Sequence, residues 1–159
     1  MPEKSRRVYA THTGKFSKVV DAPLRYVYDW CTDFRSDDGK FSKSRPRVRV
    51  IRVSPRQLVR IGVVSNGEKD PPMVVELVRL SPPNAWHKNQ IGGPDIDDID
   101  YKLVALSPNR TRISLVIVER WMEPKFPKKA DWVRSSSAYW DRLVQAIEAR
   151  YRSGLSAKG

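Results

Sequence analysis

Residues 127–154 form the only stretch of this chain long and periodic enough for a long amphipathic helix. Trp132, Ser136, Tyr139, Trp140, Leu143, Val144, Ile147 and Tyr151 recur at helical spacing, while Lys128, Lys129, Arg134, Asp141, Arg142, Glu148, Arg150 and Arg152 take the other side. An apolar stripe of this length needs a large surface to cover it. What precedes it reads as strands, so the natural cover is a sheet curved around the helix. The space between such a sheet and its helix is where function is expected.

Seven strand signals stand before that helix. Residues 15–21 alternate Phe16, Lys18 and Val20 against Ser17 and Val19 and predict a first strand, with residues 8–13 joining a strand edge out of a basic arm over residues 1–13. Pro23 suits the first turn of a helix, whose apolar face repeats through Leu24, Val27, Tyr28 and Cys31 and is widened by Tyr26, Trp30 and Phe34. A second brief helix is expected over residues 39–44, before Pro46 imposes extended chain. Strands then follow over residues 47–53, 57–64, 73–80, 85–91, 96–106 and 111–122, separated by Ser54-Pro55, Asn66-Gly67, Ser81-Pro82-Pro83-Asn84, Gly92-Gly93-Pro94 and Ser107-Pro108-Asn109. Turns this frequent leave no room for crossover helices, so the sheet is expected to be antiparallel.

At 159 residues the chain is expected to make one domain over residues 14–154, with a tail over 155–159, and to bury roughly two thirds of its unfolded surface. A lone Cys31 excludes an internal disulfide framework, and with His12 and His87 the only histidines, a metal or other cofactor is not expected. No apolar run approaches the roughly twenty residues of a membrane span, and the polar start does not read as a secretory signal, so a soluble cytoplasmic protein is the expectation. Ile96-Asp-Asp-Ile-Asp100 lacks the spacing of a calcium loop; on a strand Asp98 and Asp100 share a face opposite Asp97, which suits a solvated strand end.

Thirty Lys and Arg against eighteen Asp and Glu give a net charge of +12, and the excess is local. Between Asp38 and Glu68 there is no acidic residue, yet Lys40, Lys43, Arg45, Arg47, Arg49, Arg52, Arg56 and Arg60 all fall there. Such a segment either attracts a polyanion, as nucleic acid or an anionic membrane, or forms a solvated convex face.

The order of strand, two small helices, six antiparallel strands and a long closing helix is that of the helix-grip fold. Residues 21–34, Asp-Ala-Pro-Leu-Arg-Tyr-Val-Tyr-Asp-Trp-Cys-Thr-Asp-Phe, resemble the opening helix of the START-like, or Bet v 1-like, superfamily with its polyketide cyclase/dehydrase-type and lipid-transfer members. Residues 100–113 look like its penultimate hairpin, and the spacing of Trp140, Leu143, Val144 and Ile147 suits its closing helix. The resemblance implies an α+β fold with a seven-stranded antiparallel sheet wrapped around the helix, and a hydrophobic cavity between them. The functions it implies range across lipid binding, polyketide cyclisation and co-chaperone action; the matching motifs are structural and name no reaction.

Within that frame Ile113, Leu115 and Ile117 are expected to face the helix, which puts Glu119 on the inward side. There it would bind a ligand hydroxyl or act as a general acid, whereas at a strand end it would meet solvent or an arginine. His87 is either a ligand contact or acid/base group, or a surface strand histidine; Trp86, Lys88 and Gln90 share the face opposite it, and neither face is plainly apolar. Trp30, Tyr101, Leu115, Ile117, Tyr139, Trp140 and Leu143 complete the expected ligand wall, with Tyr101 also a candidate hydroxyl donor. The leading expectation is a non-enzymatic carrier or sensor of a small hydrophobic molecule, such as a lipid or an aromatic or isoprenoid metabolite. A cyclase or dehydratase in the same cavity, using Glu119, His87 or Tyr101, is the enzymatic alternative. The ligand is expected to enter among the small helices, the loops at 67–72 and 92–94, and the approach to the last helix at 123–129, where Pro124 and Pro127 would act as a lid.

Overall fold

The computed structural model describes residues 7–34, 47–63 and 73–156. Nine elements follow in the order β1 (Ala10–Val20), α1 (Leu24–Thr32), β2 (Arg47–Ser54), β3 (Gln57–Val63), β4 (Met73–Ser81), β5 (Ala85–Ile91), β6 (Asp95–Ser107), β7 (Arg110–Trp121) and α2 (Lys129–Ser156). The strands make one antiparallel sheet in the order β1-β7-β6-β5-β4-β3-β2. Each strand from β2 to β7 pairs with its neighbour in the chain; only β1 reaches across, to β7. This is the expected helix-grip architecture.

The boundaries shift in two places. β1 begins at Ala10 rather than at residue 15, because residues 10–14 find a full ladder on β7, from Ala10 opposite Trp121 to Gly14 opposite Ile117. Pro23 stands before the helix rather than in its first turn: its backbone is extended (φ −61°, ψ 146°), and its carbonyl accepts the Val27 N–H at 3.0 Å. The brief helix expected at 39–44 and the Asn66-Gly67 turn lie outside the described residues. The Gly92-Gly93 turn is present, with both glycines at φ 91°, a conformation that side chains with a Cβ adopt only under strain.

Strand alternation builds the core. On β7 Ile113, Leu115 and Ile117 turn inward and are at most 7% exposed, joined by Leu103 on β6 and Val20 on β1. Trp132, Trp140, Leu143 and Ile147, from successive turns of α2, cover them. Polar ties fix the helix along β1: Lys18 Nζ donates to Asp141 Oδ1 at 2.6 Å and to Ser137 Oγ at 2.9 Å, and the Asp21 N–H donates to Glu148 Oε1 at 2.9 Å. At the other end of the core the Thr111 hydroxyl donates to the Ala22 carbonyl at 2.8 Å, holding the entry to α1 against β7. α1 and the last turns of α2 meet through Tyr26 and Tyr151, whose rings lie 4.9 Å apart. Among the described residues no helix is long and apolar enough to cross a membrane.

Candidate functional site

A cavity of about 560 Å³ opens between the sheet and α2. Three elements set its aromatic side. α2 contributes Trp132, Tyr139, Trp140 and Leu143 from one stripe; the end of α1 contributes Trp30, Cys31 and Phe34; and the strands contribute Trp86, Tyr101 and Trp121. Trp86 and Tyr101 sit opposite one another on β5 and β6 and stack at 4.5 Å with an angle of 11°, and Trp140 leans on Tyr101 at 5.8 Å. The chain has five tryptophans, and all five line this cavity.

The remaining wall is ionic. Arg60, Glu76, Lys88 and Asp97 lie on β3, β4, β5 and β6, all on the inward side of their strands. Arg60 Nη1 donates to Glu76 Oε2 at 2.8 Å, Lys88 Nζ to Glu76 Oε1 at 3.1 Å, and Lys88 Nζ lies 3.6 Å from Asp97 Oδ2. Glu76 is 2% exposed, so two cations converge on one carboxylate that water scarcely reaches. The Arg60 guanidinium also stands 5.2 Å from the centre of the Phe34 ring. Phe34 itself is held at φ 44°, a left-handed backbone unusual for an aromatic residue, at the point where α1 ends against the cavity.

Glu119 is a second carboxyl on the cavity wall, beside Asp97. It lies opposite Asp97 on β6 and opposite His12 on β1, and accepts the indole N–H of Trp132. Burial, then a hydrogen bond with the Asp95 carboxyl and the charges of Asp95 and Asp97, push its pKa up to about 8, against the opposing pull of the Trp132 bond. The shift favours the protonated carboxyl over the carboxylate far above the ordinary range of a glutamate. Burial also raises the Tyr101 phenol above its ordinary value, with Lys88 opposing, so its hydroxyl stays protonated as well.

A second set of contacts closes one end. His12 Nε2 lies 2.8 Å from the Pro127 carbonyl, and its ring stands 5.5 Å from Trp132 and 6.2 Å from Phe126, so β1 holds the segment that leads into α2. Gly14 makes the room for this: a Cβ there would lie 2.9 Å from the Trp132 ring and 2.7 Å from Phe16.

Of the residues expected from the sequence, Trp30, Tyr101, Ile117, Glu119, Tyr139, Trp140 and Leu143 meet at the cavity wall. Leu115 does not; it is 1% exposed, packed in the core between Phe16 and Tyr101 across the register. His87 is outside the cavity altogether, on the outer face of the sheet, where Nδ1 lies 2.8 Å from Asp100 Oδ1 and Nε2 lies 3.8 Å from Asp98 Oδ1. Arg60, expected in a basic solvated face, turns into the cavity instead, because strand alternation gives it the inward side with Leu58. Arg49, Arg52 and Arg56 are exposed, while Lys40, Lys43, Arg45 and the side chain of Arg47 lie outside what the structure describes.

Sequence reasoning missed the Arg60–Glu76–Lys88–Asp97 network. The alternation was readable: Lys88 shares a face with Trp86, and Asp97 opposes Asp98 and Asp100. The acidic segment, expected as a solvated strand end, therefore divides, with Asp97 turned to the cavity and Asp98 and Asp100 outward. No signal marked the charged face of β5 and β6 as the inward one.

No protein-family model and no curated protein matches the chain. Solved structures do. The ZhuI aromatase/cyclase from Streptomyces sp. R1128 superposes with a TM-score of 0.69 at 13% identity, covering 94% of this chain and 99% of its own. Ara h 8.0201 gives 0.66 at 12% identity over 91% and 99% of the two chains. A START superfamily protein from Mycobacterium smegmatis gives 0.64 at 17% identity over 89% and 98%. The fold is the START/Bet v 1-like helix-grip fold.

Proposed function

We propose that this protein is a carrier or sensor that holds a small, flat, largely apolar molecule, with an oxygen-bearing group at one end, between its sheet and α2. The observation that carries this reading is the convergence of all five tryptophans on one cavity of about 560 Å³. That volume lies within the range of small-molecule sites, which combine apolar walls with a few orienting polar groups. The flat faces of Trp86, Tyr101 and Trp140 favour a planar or ring-bearing ligand over a flexible one, since stacking rewards a rigid aromatic partner. Protonated Glu119 and the Lys88 ammonium supply donors to a carbonyl or hydroxyl, and Asp97 supplies an acceptor. Among the proteins of similar fold is an aromatase/cyclase by name, and the helix-grip scaffold accommodates both binding and catalysis.

A second reading rests on Glu119 alone. A carboxyl that keeps its proton to about pH 8 inside an aromatic cavity has the state a general acid needs, and loss of water from a ring hydroxyl would use it. In that case Glu119 protonates the departing hydroxyl, which leaves as water as its C–O bond breaks, and the Asp97 carboxylate opposite takes the proton from the adjacent ring carbon as the double bond forms.

Native mass spectrometry of the purified protein, with solvent extraction of whatever is released, tests the first reading. A discrete adduct of a few hundred daltons or less, and quenching of tryptophan emission by planar aromatic probes such as anilinonaphthalene sulfonate, are the expected results. A clean apo mass together with unchanged emission across flat aromatic and isoprenoid probes would refute it. Turnover of a bound ligand that Glu119→Gln abolishes while binding persists would select the second reading.

A further inference from the structure

We infer that the outer face of β2, β3 and β4 is a docking surface for anionic lipid. The sheet register sets Ile51, Val59 and Leu77 in one row across these strands, with Ile61 and Val75 in the next row, continued by Ile91 of β5, and Val63 beside Met73 in a third. All of them alternate with the inward residues Val48, Leu58, Val74 and Val78, which are buried. Met73 is 59% exposed, Ile91 48% and Ile51 41%. Strands that are apolar on both sides are those covered on both sides, and among the described residues nothing covers the outer one. Elsewhere on the same outer face His87, Asn89, Asp98, Asp100 and Arg120 join in hydrogen bonds and ion pairs, with Val19, Val104 and Val116 exposed beyond them.

Charge decides among the surfaces that could cover it. Arg49 lies in the row of Ile61 and Val75, Arg79 stands beyond Leu77 on the same side of β4, and Arg56 is exposed at the β2–β3 hairpin. The sole carboxylate of β2, β3 and β4 is Glu76, which is buried on the inner side of the sheet at 2% exposure. A second copy of this chain related by a two-fold axis would bring arginine against arginine. A nucleic acid would meet the arginines but would find no aromatic residue on these rows for its bases to stack upon. An anionic bilayer surface answers both features, with lipid phosphates at the arginines and the acyl boundary at the aliphatic side chains.

Cosedimentation with phosphatidylcholine vesicles, with and without phosphatidylglycerol, at low and high salt, tests this on the full chain. Binding is expected only with phosphatidylglycerol, weakening with salt, and falling about fivefold for each of Arg49→Gln and Arg79→Gln. Leu77→Asp, which leaves every arginine in place, is expected to abolish it. All three positions are exposed, and tryptophan emission from the cavity on the opposite face confirms that each variant is folded. Wild-type protein that ignores anionic vesicles, or binding that survives Leu77→Asp, would overturn the proposal. So would sedimentation velocity showing a dimer that Leu77→Asp dissolves, or RNA retained while vesicles are not.

Discussion

Asp97 and Asp98 are neighbours in the chain, yet they belong to different chemical regimes. Asp97 turns into the cavity beside Lys88 and opposite Glu119. Asp98 turns outward, accepting from Arg120 at 2.9 Å and from Asn89. On the outer side partial burial alone would raise the Asp98 pKa, but the Arg120 and Asn89 hydrogen bonds outweigh it and hold the carboxyl below its ordinary value. On the inner side burial acts with neighbouring carboxyls, and Glu119 keeps its proton to about pH 8. The two faces hold the same kinds of residue at the same spacing. What separates them is how far water is excluded and whether a cation or another acid stands nearest.

The comparison breaks most readily at Glu76. Glu76→Gln leaves the Arg60 and Lys88 charges without the buried carboxylate they share, and the expected loss is about 3–5 kcal/mol of unfolding free energy, read from urea midpoints. A loss below about 1 kcal/mol would place the inner network in the same class as an exposed ion pair. Glu119 offers an intermediate test through pH. Its folded pKa of about 8 lies above the ordinary 4.5, so the folded state keeps a proton that the unfolded state gives up. Its stabilising contribution is complete below pH 4.5 and fades as pH rises through about 8. Glu119→Gln is expected to flatten the stability profile across that window, and an unchanged slope would show that another group carries it. The smallest effect belongs to the outer face. Asp98→Asn removes a partner from Arg120 where the two side chains are 35% and 40% exposed, and should cost about 0–1 kcal/mol. The sign is opposite as well: with its pKa lowered from 3.8, the Asp98 contribution is lost on acidification.

Much of the fold was legible because its signals are local. Trp132, Trp140, Leu143 and Ile147 repeat at helical spacing and are buried in α2, and Ile113, Leu115 and Ile117 alternate on β7 and face it. Trp30, Tyr101, Tyr139 and Trp140 of the aromatic wall followed from the same two periods, whereas Trp86 did not. The ionic wall did not, since alternation tells which residues share a face but not which face is inward. On β5 that choice was between Trp86, Lys88 and Gln90 on one side and His87, Asn89 and Ile91 on the other, and hydropathy alone does not decide it. The pairing of Trp86 with Tyr101 decides it, and that is a fact of register between strands. Arg60 was misplaced for a related reason: it was read as part of a basic run along the chain, whereas a strand sends every second residue of such a run to the far side.

β1 is separated from its only partner strand by most of the molecule; the Ser17 and Ser114 hydroxyls that face each other across the β1–β7 ladder are 97 residues apart in the chain. The hairpins from β2 to β7 each close on a neighbour made moments earlier, but β1 stays without a ladder until β7 has left the ribosome. His12, Gly14 and Trp132 come together later still, since Trp132 follows β7. The cavity is thus the last part of the protein to exist. A nascent chain stalled anywhere before α2 would carry the sheet's apolar inner face uncovered, and it is at that stage of synthesis that a chaperone has most to hold.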